Sequence, residues 1–138
     1  MKYMIMLYGS QRDYDGMAGR ATGGPVWTPE QLAAMYDFMG KWNQDLMDSG
    51  EFVDGQGLTD PVHTRRVEPG PDGKPVITDG PYAETAEVLA GYNIVDCVSF
   101  DRALELAARI LECPGPEGQG GMYVDVRPIA SGGGDLDG

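Results

Sequence analysis

At 138 residues the chain has room for one compact domain with its own core. A formal net charge of -12, with only ten scattered Lys and Arg residues, argues against direct nucleic-acid binding, since a polyanion needs a basic patch. Two cysteines make no disulfide framework, and no run approaches the roughly eighteen apolar residues of a membrane span.

The first element is "KYMIMLY" (residues 2–8), where Tyr3, Ile5 and Leu7 alternate with Met4, Met6 and Tyr8. Both sets are apolar, which predicts a strand covered on both faces. The opening lacks a signal-peptide core and a small-residue cleavage site, so a soluble, cytoplasmic protein is expected. Residues 9–27 are glycine-rich and show no period, and read as a flexible loop: a disordered segment or surface flap, with a functional lid as the alternative.

Thr28, Pro29 and Gln31 then predict a helix start: an N-cap hydroxyl, proline at the first helical position and a capping-box partner. Leu32, Met35, Met39, Trp42 and Leu46 mark its buried stripe, and Gly50 is placed to end it. "EFVDGQGL" reads as a second strand, with a bulge or close backbone approach at Gly55 and Gly57. "VHTRRVEP" reads as a third, carrying His63. Pro69, Pro71 and Pro75 place the ribbon around "GPDGKP" at a sheet edge or projecting from it.

"VLAGYNIVDCVSF" is the clearest strand and carries Cys97 as a small core residue. Ser99 can cap a following helix with an apolar face of Phe100, Leu104, Ala107, Ala108 and Leu111, and with Glu105 and Arg109 paired outside. "MYVDVRPI" supplies the last strand. The tail 131–138 has too little apolar surface to pack and is expected to be disordered. The order predicts a single α+β domain over 1–130: a ferredoxin-like split βαβ with an antiparallel sheet and both helices on one face. The other face of a sheet that is apolar on both sides needs a cover, and a homodimer supplies one.

Four stretches together carry a family likeness. "MKYMIMLYG", "ITDGPYAETAE" and "LAGYNIVDCVSFDRALELAARI" with "YVDVRPI" resemble the DGPF group of YCII-related proteins. The resemblance implies a ferredoxin-like domain that dimerises into a dimeric α/β barrel, in proteins that are often bacterial and whose function is generally unassigned. A link to extracytoplasmic-function sigma factors has been suggested for the group from gene context. Tyr82 stands where the group usually has phenylalanine, and Ala86 where it usually has lysine. A helical histidine–aspartate pair proposed for some relatives does not carry over, because His63 is the one histidine and lies on neither predicted helix.

Within "TDGPYAETAE", Asp79 and Gly80 suit a tight turn, with glycine free to take positive φ. The structural reading is that this segment orients the entry to the strand that follows. The chemical reading sets Asp79 and Glu84 as an acid and a base beside a cleft, where two carboxylates would have their pKa values pushed apart. Tyr82, Arg65, Arg127 and His63 are the ligand-binding residues that would accompany them: the arginines to hold an anion, His63 as a base near neutrality. The plainer alternative for Arg65 or Arg127 is a salt bridge to Asp79, Glu84 or Asp96. No metal or organic cofactor is expected, since one histidine and two separated cysteines lack zinc spacing.

Three functions follow. The first is a homodimeric small-molecule-binding or accessory protein with a cleft near the TDGPYAET motif, lined by Met, Tyr and Trp between sheet and helices. The second is a cofactor-independent enzyme of isomerase, oxygenase or lyase type using Asp79 and Glu84, on fold analogy. The third is a protein that binds another macromolecule.

Overall fold

The computed structural model describes residues 1–117 and 122–131. Of the expected tail, 131–138, residues 132–138 lie outside them. Four strands form the main sheet: β1 (Lys2–Gly9), β2 (Phe52–Gly57), β5 (Val88–Asp96) and β6 (Val124–Pro128), in the order β2-β5-β1-β6. Every neighbouring pair is antiparallel. With α2 (Pro29–Ser49) after β1 and α3 (Phe100–Ile110) after β5, this is the ferredoxin-like α+β fold.

The register explains which face is buried. Tyr3, Ile5 and Leu7 of β1 stand opposite Val95, Asn93 and Gly91 of β5, and opposite Pro128, Val126 and Val124 of β6. Tyr3, Ile5 and Val95 join Trp42 and Leu46 of α2 and Ala103, Leu106, Ala107 and Ile110 of α3 in one core. Both helices therefore cover the same face. The Trp42 indole donates Nε1–H to the Leu106 carbonyl at 3.0 Å, tying the helices together where the core is driest. Cys97 is buried in this core, and burial pushes its thiol up from its ordinary value.

Helix α2 begins and ends as its sequence directs. Thr28 accepts from the Gln31 N–H, Gln31 returns a bond to the Thr28 N–H, and Gly50 closes the helix at φ 78°. Helix α3 departs from the expected face. Its buried stripe is Ala103, Leu106, Ala107 and Ile110, whereas Leu104 and Leu111 face outward and Phe100 packs at the rim on Tyr3, ring centroids 5.2 Å apart. Two alanines on the stripe let α3 sit close to the sheet, and that close approach outweighed side-chain size in choosing the face. Glu105 also pairs with Arg102 rather than Arg109, at 3.2 Å. Arg102 forks over Glu51 with two 2.9 Å bonds, which hold the Glu51 carboxyl below the usual carboxylate range.

Two further expectations are corrected. Residues 9–27 are not an irregular loop: Gln11–Met17 forms a helix, α1. Ser10 accepts from the Asp13 N–H and Asp13 returns a bond to the Ser10 N–H, a capping box that fixes the first turn. His63 lies not on a strand but on a 3₁₀ turn, Pro61–His63, closed by its N–H donating to the Asp60 carbonyl at 3.1 Å. Proline at the head of the turn favours that conformation. Strand β3 (Arg65–Pro69) starts two residues later and pairs only with β4 (Pro75–Asp79), as a ribbon separate from the main sheet. No helix among the described residues is long and apolar enough to cross a membrane.

Candidate functional site: a methionine-lined cavity

A cavity of about 720 Å³ opens between α2, α1 and the end of the sheet where β1, β2 and β5 meet. Met35, Met39 and Met47 come from α2, Met17 from α1, and Trp27 and Phe52 close the sides. Among the described lining residues there is no Lys, Arg or His, and Asp13 is the one carboxylate. Cys113 also lines it, and burial raises its thiol pKa, so the sulfur stays protonated at neutral pH.

Helix α1 makes one wall, and its position is held by bonds to three other segments. Gln11 donates to Asp60 Oδ2 at 2.9 Å and accepts from the Val62 N–H at 2.8 Å. The Tyr14 hydroxyl donates to the Leu58 carbonyl at 3.0 Å, with the Ala90 carbonyl at 3.3 Å; burial pushes its pKa up. Asp15 receives Arg20 Nη2 and Gln11 Nε2, each at 2.9 Å, and Thr22 Oγ1 at 3.3 Å. The Arg20 guanidinium, then the Gln11 amide, hold the Asp15 carboxyl below its ordinary value. The Gly16 carbonyl accepts from the Trp27 N–H at 3.0 Å, and a Cβ on Gly16 would collide with the Pro25 carbonyl oxygen. The stretch from 18 to 27 folds back on α1 through these contacts.

The "TDGPYAET" segment meets the cavity only at second hand. Asp79 ends β4, where its Oδ1 lies 3.0 Å from Arg65 Nε in an exposed pair, the plainer alternative for that arginine. Gly80 takes φ +56° and donates its N–H to the Thr64 carbonyl at 3.0 Å, closing the turn as glycine there allows. The Arg66 guanidinium lies over the Tyr82 ring, 5.6 Å from its centroid. The Glu84 carbonyl accepts from the Arg12 N–H at 2.9 Å, so the motif's backbone holds the first turn of α1. His63 Nε2 lies 3.2 Å from Asp60 Oδ1, and Arg127 is exposed on the edge strand β6. Arg65, Asp79 and His63 are thus gathered on or beside the ribbon, Arg127 stands apart from them, and none of the six expected site residues lines the cavity.

The polar groups that line it include Asn43 of α2 and Asn93 of β5, bonded to each other at 3.0 Å. A model of the YCII-related domain matches residues 1–128. The chain belongs to the YCII-related family. A 58-residue stretch is 45% identical to an uncharacterized protein of Rhizobium meliloti (strain 1021), taking in 42% of this chain and 44% of that one. The match therefore spans less than half of that relative's length. In this YCII-related domain the sequence reading missed Asn43 and Asn93. The available signal was an asparagine in the middle of the apolar run "GYNIVDCV". Nothing in the run says that its partner stands fifty residues earlier on a helix.

The face of the sheet away from the helices carries Met4, Met6, Tyr92 and Ile94, all half-buried. At its β6 side the Tyr8 hydroxyl donates to Asp125 at 2.8 Å, and the Tyr8 and Tyr123 rings stack 5.4 Å apart. Tyr123 donates to Glu87, and that bond pushes its hydroxyl up to about 12. Among the described residues no cluster of three His, Cys, Asp or Glu side chains is placed to hold a metal ion.

Proposed function

We propose that this YCII-related domain binds a small, uncharged, largely apolar molecule in the methionine-lined cavity. The observation that carries the reading is the cavity itself: about 720 Å³, walled by thioethers and aromatics, with a few converging polar groups. That size and composition fit the general pattern of small-molecule sites. Thioether side chains adapt to irregular shapes, which suits a ligand of mixed outline. The lack of a cation among the described lining residues, together with the Asp13 carboxylate, disfavours an anionic ligand.

The domain acts as a homodimer in this reading. Support comes from the half-buried apolar side chains Met4, Met6, Tyr92 and Ile94 on the sheet face that no helix covers. A second copy of the same face is the cover that twofold symmetry supplies. Light scattering is expected to give twice the chain mass at micromolar concentration; a monomer there removes this part.

The acid–base alternative, with Asp79 and Glu84 as the pair, draws no support from the geometry, because Asp79 faces Arg65 on the ribbon and neither residue lines the cavity. Thermal-shift screening of a metabolite panel tests the binding reading. A ligand at a hundred times its Kd stabilises the native state by about 2.7 kcal/mol, so neutral amphipathic compounds are expected to raise the Tm by several degrees. A panel in which only phosphates and carboxylates shift the Tm, or in which nothing does, sinks it.

A further inference from the structure

Asn93 lies in the interior of β5, opposite Ile5 on β1 and Gly55 on β2, and is only 7% exposed. A carboxamide has two N–H donors and an oxygen with two lone pairs, and burying any of them dry costs free energy. Its neighbours fix which way round it lies. Asn43 Nδ2 donates to the Met39 carbonyl, one helical turn back, at 3.0 Å. A carbonyl can only accept, so Asn43 has to turn its Oδ1 toward Asn93. Asn93 then has to offer Nδ2, which it does at 3.0 Å. This leaves Asn93 Oδ1 as an acceptor that no donor among the described residues reaches, on a residue that lines the cavity; the atom is not sealed off, since the buried side-chain atom without a partner among the described residues is Arg12 Nε.

The backbone opposite makes room for this arrangement. A Cβ on Gly55 would lie 2.5 Å from Asn93 Nδ2, closer than real contacts allow. Gly55 therefore keeps bare backbone where the carboxamide lies, and the helix–sheet amide pair keeps its registry. An acceptor open to the cavity and without a protein donor is one that a ligand's N–H or O–H can take.

We propose that Asn93 Oδ1 is the specificity-determining acceptor of the cavity. It takes an N–H or O–H of a neutral amphipathic ligand, whose apolar body lies against Met35, Met39, Trp27 and Phe52. The inference rests on the reading of the cavity as a small-molecule site. It selects among neutral ligands: one with a donor at the right end completes the Asn43–Asn93 chain, and an isostere without it leaves the acceptor dry. Sites built around a buried hydrogen bond reject the analogue that lacks it far more strongly than they reject a missing methylene.

N-phenyl-1-naphthylamine is a suitable probe, being neutral, with a single N–H and an emission that rises on leaving water. 1-Phenoxynaphthalene has an ether oxygen in place of that N–H and can be measured by competition. The full chain is expected to bind the amine at least tenfold more tightly than the ether, and Asn93→Leu to bring the two within twofold. Equal affinities in the unaltered chain overturn the role of Asn93 and leave the cavity reading intact. If neither probe binds, the cavity reading fails and this inference with it. A tenfold preference that survives in Asn93→Leu places the acceptor elsewhere. Should that variant not fold, Asn93→Ala is read by the same ratio, and equal affinities in the unaltered chain still overturn the proposal without any substitution.

Discussion

Helix α1 and the β3–β4 ribbon are both short, both lie outside the four-stranded sheet, and both are touched by the same motif. They are built in opposite ways. In α1 and its return segment, Asp15 and Gly16 are buried and the polar side chains bond three other segments. In the ribbon all ten strand residues are exposed, and Val67 faces Ile77 across the ladder with 64% and 62% of their surfaces in water. A two-stranded ribbon of this kind has little stability of its own. The recognisable sequence sits on the lightly held element, while an unremarkable glycine-rich stretch builds the cavity wall. Conspicuousness in sequence and weight in the structure are separate properties.

The largest expected effect comes from Gly16→Ala. Alanine ordinarily favours a helix over glycine by about 1 kcal/mol, yet here its Cβ meets the Pro25 carbonyl. Overpacking of this kind costs about 1–3 kcal/mol, and urea denaturation should show the midpoint falling. A variant as stable as the parent would mean that the return segment is not packed on α1. Acid gives a second, more local effect. Asp15 is held below its ordinary value by Arg20 and Gln11, whereas an unfolded aspartate titrates at about 3.9. Between the two values the undocked segment binds more protons than the docked one. The Asp15 contribution is therefore complete above about pH 4 and is lost as the pH falls through the lower, folded value. Amide exchange in residues 12–20 should lose protection over that window, and Asp15→Asn should flatten the dependence. Unchanged protection down to pH 2 would break the claim that this carboxylate docks α1.

The smallest effect is expected on the ribbon. Ile77→Ala in the isolated chain should change stability by no more than about 0.5 kcal/mol, as exposed substitutions usually do. A loss above 1 kcal/mol would show that something covers the ribbon and would erase the contrast with α1. The Arg65–Asp79 pair, exposed on both sides, belongs to the same regime, where ion pairs contribute between zero and about 1 kcal/mol.

Local chemistry was what the residues showed in advance. The capping box at Thr28, the stop at Gly50 and the turn glycine at Gly80 are all decided within a few positions and formed as read, and the apolar strand formed from Val88 but ends at Asp96, short of the "CVSF" read with it. The capping box at Ser10 was equally local, but its partner is Asp13 rather than Glu or Gln, and the surrounding glycines hid it. The face of α3 failed for another reason. Two stripes share Ala107, and only the closeness of the sheet chooses between them. The cavity was legible in kind, as a cleft of Met, Tyr and Trp between sheet and helices, but not in place. Asn43 and Asn93 come from separate elements, and their meeting depends on helix–sheet registry that no local pattern encodes. The site residues expected around the motif belong to a turn whose bonds are to the ribbon and to α1.

The two tryptophans stand in regions that the molecule separates sharply. Trp42 is 4% exposed and its indole N–H is tied to Leu106, whereas Trp27 is half-buried on the cavity wall. One indole therefore emits from a dry, rigid surrounding that tracks global unfolding, and the other from a wall that a ligand or a loosened α1 would alter. Collisional quenching should divide the emission into a fraction that acrylamide reaches and one that it does not. The chain thus carries two optical reporters, one for the core and one for the cavity wall.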